Sequence, residues 1–383
     1  MRAVAPDCDR ERMPSESQTN FLAGEWVPAR NGASFSGCSG AAPVSWPQSD
    51  GADVAEAWRA ARAALPAWRG LAADEREEHL QALAQELEHD AELTRRLGER
   101  FGLEPAELAQ HSTGLVRGLR ALRERPAPVG GGEVVWWTPE WRELVRQPFL
   151  DLARECLEGR VLVLVSDARV PELAQHFAQA AHAAGLPPGV LGLLHGATRE
   201  LVRLGLAGAN GGAGCALVAS GSVARMVELR RLESTAGVES RLRALRCGVH
   251  EVDPGRALEE DASEVVERAF GRAATLGGQL PGALGRVYVP ARRFSRFTEL
   301  VLERLEANAA ARAPVPQVDD EAAARVRAAW ELGLDEGATC IAGGDASDAA
   351  RALPPTVFTN VETYMATAKR QDPLPVLCLL RGS

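Results

Sequence analysis

The sequence predicts an α/β fold: a doubly wound, largely parallel sheet, followed by a second, incomplete α/β lobe. Three observations carry this. Arg160-Val161-Leu162-Val163-Leu164-Val165-Ser166 is a continuous apolar run, the pattern of a parallel strand buried on both faces. Pro171 can open a helix through Ala184, because its missing N–H falls where a helix start has no partner to offer, and Gly185 can close it. A second apolar run, Val190 to Leu194, follows the turn at Pro187-Pro188-Gly189, so the order strand, helix, turn, strand makes one βαβ unit.

The other elements follow in order. Met1 to Asn20 is polar with acidic residues and reads as a disordered leader, neither a signal nor a transit peptide. Phe21 to Pro28 is a short strand and turn. Asp53 to Ala64 has apolar residues at helical spacing with Asp53 as N-cap, and Pro66 is expected to end that helix. Glu75 to Leu87 and Ala91 to Phe101 are further amphipathic helices. Arg125 to Gly132, rich in proline and glycine, is the clearest linker, and Val134 to Trp137 and Arg146-Gln147-Pro148 come after it. The tryptophans read as packing residues. Ala216 to Ser222 is another strand running into a turn. A helix extends from Asp261 toward Gly278, Val287 to Pro290 is a strand, and Phe294 to Glu306 and Asp319 to Leu332 are amphipathic helices.

Composition narrows the function classes. A net charge of −9 and a pI near 5.5 argue against nucleic acid or an anionic membrane as partner. Lys369 is the sole lysine and Ile341 the sole isoleucine, so the many arginines reflect coding bias rather than a binding surface. The seven cysteines are scattered, with no Cys-x-x-Cys, as in a reduced cytoplasmic protein. No apolar run is long enough to span a membrane. His176 and His182 lie six apart on one helix, which excludes the i, i+4 arrangement of a metal pair, and His79 and His89 read as exposed helix positions, so no metal site is expected. Ser220-Gly221-Ser222 lacks the pattern of a nucleophile elbow.

Longer motifs carry more information. Gly185-Leu186-Pro187-Pro188-Gly189-Val190, with Gly196 closing the run, Ala219-Ser220-Gly221-Ser222, and Gly278-Gln279-Leu280-Pro281 followed by Arg286 and a strand stand in that order. Phe21 to Pro28, Gly337 to Gly344 and Leu353 to Val357 add weaker matches. Together they resemble the aldehyde dehydrogenase superfamily over about residues 21 to 380. The resemblance implies a Rossmann-type sheet in a cofactor-type domain, residues 21–245, and a catalytic-type lobe, 246–383, that is C-terminally truncated. It is similar to the degenerate second unit of tandem family members.

The same resemblance implies a site stripped of its chemistry. The family attacks an aldehyde carbonyl with a cysteine thiolate in Gly-Gln-x-Cys, and that position is Pro281. The general base falls on Arg246, whose guanidinium stays protonated and cannot take a proton. Glu251 nearby reads as a solvated surface acid, and Cys247 as a buried free thiol. The Pro-Trp-Asn segment that supplies an oxyanion donor is expected to be deleted between Pro148 and Val161. The cofactor clamp survives only as Gly221 and Ser222 at the pyrophosphate, with Ser166 in place of a ribose-binding lysine. Met226 stands where a glycine is expected and should crowd the phosphates. Gln371 replaces the nicotinamide-ribose glutamate, and Pro373-Leu374 the residues after it. The expectation is an inactive homologue acting through protein contacts, with an active aldehyde dehydrogenase or with itself, no bound cofactor, and an exposed apolar patch on the second lobe. Two alternatives stand: an NAD(P)-dependent oxidoreductase with a rearranged site, or a nucleotide-binding sensor, binding NAD or NADP if the pocket persists.

Overall fold

Apolar runs and amphipathic helices assemble into two sheets with helices on both faces. The computed structural model describes residues 18–39, 42–124, 133–209, 214–344 and 351–382. Residues 1–17 of the expected leader, with Cys8, and the linker Arg125 to Gly132 lie outside them. Asn20 does not belong to a leader: it opens β1 (Asn20–Leu22), fully buried, because its side-chain oxygen accepts from the His195 amide and the Ser49 hydroxyl. β2 (Glu25–Val27) completes that hairpin, and β3 (Ser34–Ser39) pairs with β4 (Ala42–Pro47).

Five helices follow: α1 (Gly51–Gly70), α2 (Ala73–Glu88), α3 (Ala91–Phe101), α4 (Pro105–Ala109) and α5 (Leu115–Glu124). The cap of α1 is Asp50, not Asp53, which is the third helical residue and whose carboxylate accepts from the Asp50 amide at 3.0 Å. Pro66 does not end α1 either. One missing hydrogen bond is outweighed by the burial of Leu65 and Trp68 on either side of it.

The wound sheet then forms from β5 (Val134–Thr138), α6 (Arg146–Leu157), β6 (Val161–Val165), α7 (Pro171–Ala183), β7 (Leu191–Leu194), α8 (Thr198–Ala207), β8 (Cys215–Gly221), α9 (Val223–Ala236) and β9 (Glu239–Ala244). Its order is β2-β1-β7-β6-β5-β8-β9, with β7 through β9 mutually parallel, so the order reverses beside β5. The C-terminal ends of β5, β6 and β8 meet at that reversal, where open α/β sheets hold ligands.

The chain crosses at Leu245–Cys247 into a second sheet of order β10-β11-β16-β15-β13. It is built from β10 (Gly248–Glu251), α10 (Leu258–Phe270), α11 (Arg272–Thr275), β11 (Leu284–Pro290), α12 (Phe294–Ala307), α13 (Ala309–Arg312), β12 (Val315–Pro316), α14 (Asp320–Asp335), β13 (Thr339–Ala342), β14 (Ala352–Leu353), β15 (Thr356–Val361), α15 (Ala366–Lys369) and β16 (Val376–Gly382). α10 and α12 pack on one side of this sheet and α14 and α15 on the other. Leu276, Leu280, Val318 and Ala322 of this lobe sink into the core of the first, so the lobes share one apolar seam. The large exposed apolar side chains here are Val249, Leu332, Leu334 and Tyr364 among the described residues. The lobe is therefore not wholly polar outside, while its sheet is covered on both faces.

Candidate active site

At the end of β8, Gly221 takes φ +150°, and Ser222 caps α9 by accepting from the Arg225 amide at 3.2 Å. A helix start so built presents its first amides to an anion. Arg225 itself lies across that mouth. A Cβ on Gly221 would stand 2.7 Å from its Cδ, and its guanidinium donates to the Thr138 hydroxyl at the end of β5. Burial lowers the pKa of Arg225, with Asp167 and Glu140 opposing. Met226, expected to crowd the phosphates, points into the first core instead. The obstruction comes one residue earlier.

Ser166 is fully buried, and its hydroxyl meets His195 Nδ1 at 2.9 Å. His195 Nε2 lies 3.1 Å from the side-chain oxygen of Gln175, so Nε2 carries the proton and Nδ1 accepts from Ser166. Burial pushes the pKa of His195 down to about 3, and the ring is neutral. The residue in the ribose-clamp position thus serves the core. Asp167 beside it is bound by Arg169, which reaches both its oxygens at 2.9 and 2.7 Å and then Glu140 at 2.8 Å. Burial alone would raise the Asp167 pKa, but the charge and hydrogen bonds of Arg169 hold it below the usual carboxylate range.

The expected deletion before β6 is not there. β5 ends at Thr138, Pro139-Glu140-Trp141 leaves it at the sheet edge, and α6 fills the interval to β6. Arg146-Gln147-Pro148, read from sequence as a step preceding the lost segment, is the first turn of α6. The Pro-Trp-Asn place is therefore occupied by Pro139-Glu140-Trp141, and the amide side chain is replaced by the indole of Trp141, stacked on Phe101 with centroids 5.2 Å apart. Leu144 in this loop is held at φ +50°, a conformation costly for a branched side chain, and is almost wholly buried. Below it, Glu143 and Asp151 pair with Arg243 of β9 at 2.7 and 2.6 Å.

The signature turn lies on the seam. Pro281 is half-buried, and the amide of the next residue, Gly282, donates to the carbonyl of Arg246 at 2.9 Å. The Cys247 amide donates to the Gln371 carbonyl at 2.7 Å. The structure thus brings together Pro281, Arg246 and Gln371, the residues on which the sequence resemblance places the nucleophile, the base and the nicotinamide-ribose contact. The Arg246 and Gln371 side chains are exposed, as is Glu251 at the end of β10. Cys247 is buried with Sγ 3.5 Å from the Arg370 carbonyl, and a Cβ on Gly285 would touch it. Pro281 carries no nucleophilic side-chain atom and the Arg246 guanidinium no acceptor. Among the described residues, no group of three His, Cys, Asp or Glu could hold a metal. Toward a dinucleotide this edge offers the Ser222-capped start of α9 with Arg225 across it, and Ser166 and Gln371 where the resemblance expects a lysine and a glutamate.

The aldehyde dehydrogenase family model matches residues 26–149 and 146–383. The chain belongs to the aldehyde dehydrogenase family. It is 27% identical to a hydroxyisobutyraldehyde dehydrogenase of Mycolicibacterium austroafricanum over 95% of this chain and 77% of that protein. It is 25% identical to a glutarate-semialdehyde dehydrogenase of Pseudomonas putida over 95% of this chain and 80% of the relative. Among solved structures, an aldehyde dehydrogenase C variant of Pseudomonas syringae in complex with NAD+ and octanal aligns with TM-score 0.80 and 22% identity, covering 97% of this chain and 81% of that one. A betaine aldehyde dehydrogenase of Staphylococcus aureus aligns with TM-score 0.84 and 19% identity, covering 97% and 79%. Both likenesses show the aldehyde dehydrogenase fold. Within it, Glu140 and Arg225 carry no signal in the sequence, because they come from separate elements and share no motif or periodicity. No helix among the described residues is long and apolar enough to cross a membrane.

Proposed function

We propose that this aldehyde dehydrogenase family member acts by binding and does not oxidise aldehydes. One observation carries the reading: the nucleophile position, held on the seam by the Gly282–Arg246 hydrogen bond, is Pro281. A proline has no atom that can form the thiohemiacetal from which hydride leaves. Arg246 beside it cannot act as base, and Arg225 and Arg169 take up space and carboxylates that a cofactor would meet. Its partner is a protein chain, either an active aldehyde dehydrogenase or a second copy. The relatives named above are dehydrogenases of hydroxyisobutyraldehyde and glutarate semialdehyde by name, so their aldehydes are the right substrates to try. The test offers the purified chain such aldehydes with NAD+ or NADP+ and follows reduced cofactor. Turnover that survives removal of contaminating dehydrogenase would end the proposal.

A second reading, a nucleotide-binding sensor or an oxidoreductase with a rearranged site, draws support from the Ser222 cap and Gly221, which leave a helix start at the phosphate position. Calorimetry with NAD+ and NADP+ separates the two. Micromolar binding without turnover favours the sensor, binding with turnover the oxidoreductase, and absence of binding leaves the protein-contact reading.

A further inference from the structure

Successive side chains of a strand point to opposite faces of its sheet, and β5 uses its two faces differently. Trp136 packs against Gly205 of α8. Trp137 turns to the other face and meets Phe177 of α7 edge-on, with ring centroids 6.0 Å apart. On that face, between the first turns of α6 and α7 and over the ends of β5 and β6, lies a cavity of about 300 Å³, its mouth included. Trp137, Trp141, Pro148, Leu164, Leu173 and Ala174 wall it, and all six are buried. The polar groups that line it are already committed. The Ser166 hydroxyl meets His195 Nδ1 at 2.9 Å. The two oxygens of Asp167 accept from Arg169 at 2.9 and 2.7 Å, and one of them also from the Trp141 amide at 3.3 Å. The indole nitrogens of Trp137 and Trp141 are closed to solvent. A water in such a space lacks the partners it needs, and carbon-lined cavities of this kind stay dry and take apolar guests.

We propose that this cavity binds a small apolar group, alkyl or aromatic, such as the hydrocarbon end of a short alcohol. Enclosing the guest takes its apolar surface out of water and gives the wall atoms the contacts an empty space denies them. Pro139 is the one lining residue that is not buried, so the guest enters past it and leaves its polar end there. The enclosed part is uncharged, because no lining group is free to pair with a charge. The cavity lies across the sheet from α8, and Pro281, Arg246 and Ser222 take no part in it. The inference therefore does not rest on whether the protein oxidises aldehydes.

The full chain, without cofactor, is titrated with 1-hexanol and with benzyl alcohol. Tryptophan emission reports the binding, since two indoles wall the cavity, and calorimetry measures it. A saturable response in the millimolar range is expected, the modest affinity that so few heavy atoms allow. 1,6-Hexanediol must carry a second hydroxyl inside and should bind at least tenfold more weakly than 1-hexanol. Ala174→Leu puts the rest of a leucine side chain into the space and should abolish the response. Leu334→Ser, which removes an exposed apolar side chain on α14, should leave it unchanged. Saturation by one alcohol alone names the guest as alkyl or aromatic. No saturable response to either overturns the site, as does a response that Ala174→Leu leaves intact or that the diol equals. If Ala174→Leu does not fold, Val170→Ile, a methyl larger at another wall position, decides: a weakened response supports the site and an unchanged one overturns it.

Discussion

The backbone amide of Gly282 donates to the carbonyl oxygen of Arg246 at 2.9 Å, tying the residue after the nucleophile position to the residue at the base position. The next link repeats the pattern, with the Gly248 amide on the Ala283 carbonyl at 2.7 Å. These ties run backbone to backbone and place no demand on side chains. A fold held this way can keep the shape of this seam whatever side chains it carries.

Pro281→Cys should therefore restore a thiol without restoring the reaction. Arg246 cannot take a proton, and a positioned base contributes roughly a hundredfold or more to such a step. The new thiol should react with iodoacetamide, while reduced cofactor with NAD+ and an aldehyde stays at the level of the parent chain. Aldehyde oxidation by the single variant would mean that a base is supplied from elsewhere and that the inactive reading is wrong.

His195 makes the protein acid-sensitive. Its folded pKa is about 3 against 6.5 for the free side chain, so the unfolded chain binds a proton that the native state refuses. The group costs no stability above about pH 6.5. Below that, stability falls by ~1.4 kcal/mol per pH unit until pH approaches 3. His195→Gln can keep a donor and an acceptor for Ser166 and Gln175 without the proton uptake. Urea unfolding at pH 7 and pH 5 should show the parent losing ~2 kcal/mol more than the variant over that interval. Parallel losses in the two proteins would contradict a neutral buried His195.

Much of this architecture is legible in the sequence because burial writes itself locally. β6 is a continuous apolar run since helices cover both faces of its sheet, and Gly185, at φ +69°, marks the end of α7 because the left-handed turn there suits glycine. The failures have equally local causes. Pro66 looks like a stop signal, yet Trp68 beyond it is buried by contacts distant in sequence. Arg146-Gln147-Pro148 matches a family tripeptide in sequence, yet a proline in a first helical turn fits just as well, and α6 rather than a deletion fills the interval to β6. Ser166 could be named but not aimed, because its partner His195 arrives from the next strand. The ion pairs of Arg243 were invisible for the same reason: Glu143, Asp151 and Arg243 meet only after α6 docks on β9.

Those ion pairs should dominate the response of the first domain to charge removal. Arg243 binds Glu143 and Asp151, whose side chains are 4% and 2% exposed, so Arg243→Met leaves two buried carboxylates short of their strongest partner. Breaking such an arrangement from one side costs about 3 kcal/mol, the lower end for buried pairs, since Arg243 is itself a third exposed. Arg95→Met, which removes exposed pairs with Glu92 and Glu99 on α3, should leave the unfolding midpoint unmoved. Equal midpoints for the two variants would show that the Arg243 pairs are no stronger than surface ones.

Gly205 sets how closely α8 approaches the sheet. A Cβ there would stand 2.4 Å from the Trp136 ring, and the same backbone accepts the indole N–H of Trp58 at 2.9 Å through the Gly205 carbonyl. Trp136 is fully buried at the centre of β5 and cannot swing aside into solvent. Gly205→Ala gains a little helix propensity, up to about 1 kcal/mol. Forcing a methyl into a packed core costs about 1–3 kcal/mol, so packing wins and the variant should be less stable than the parent. Denaturant unfolding with an unchanged slope and a lower midpoint is the expected result. A stabilised variant would mean that α8 sits farther from β5 than the Gly205–Trp136 contact requires.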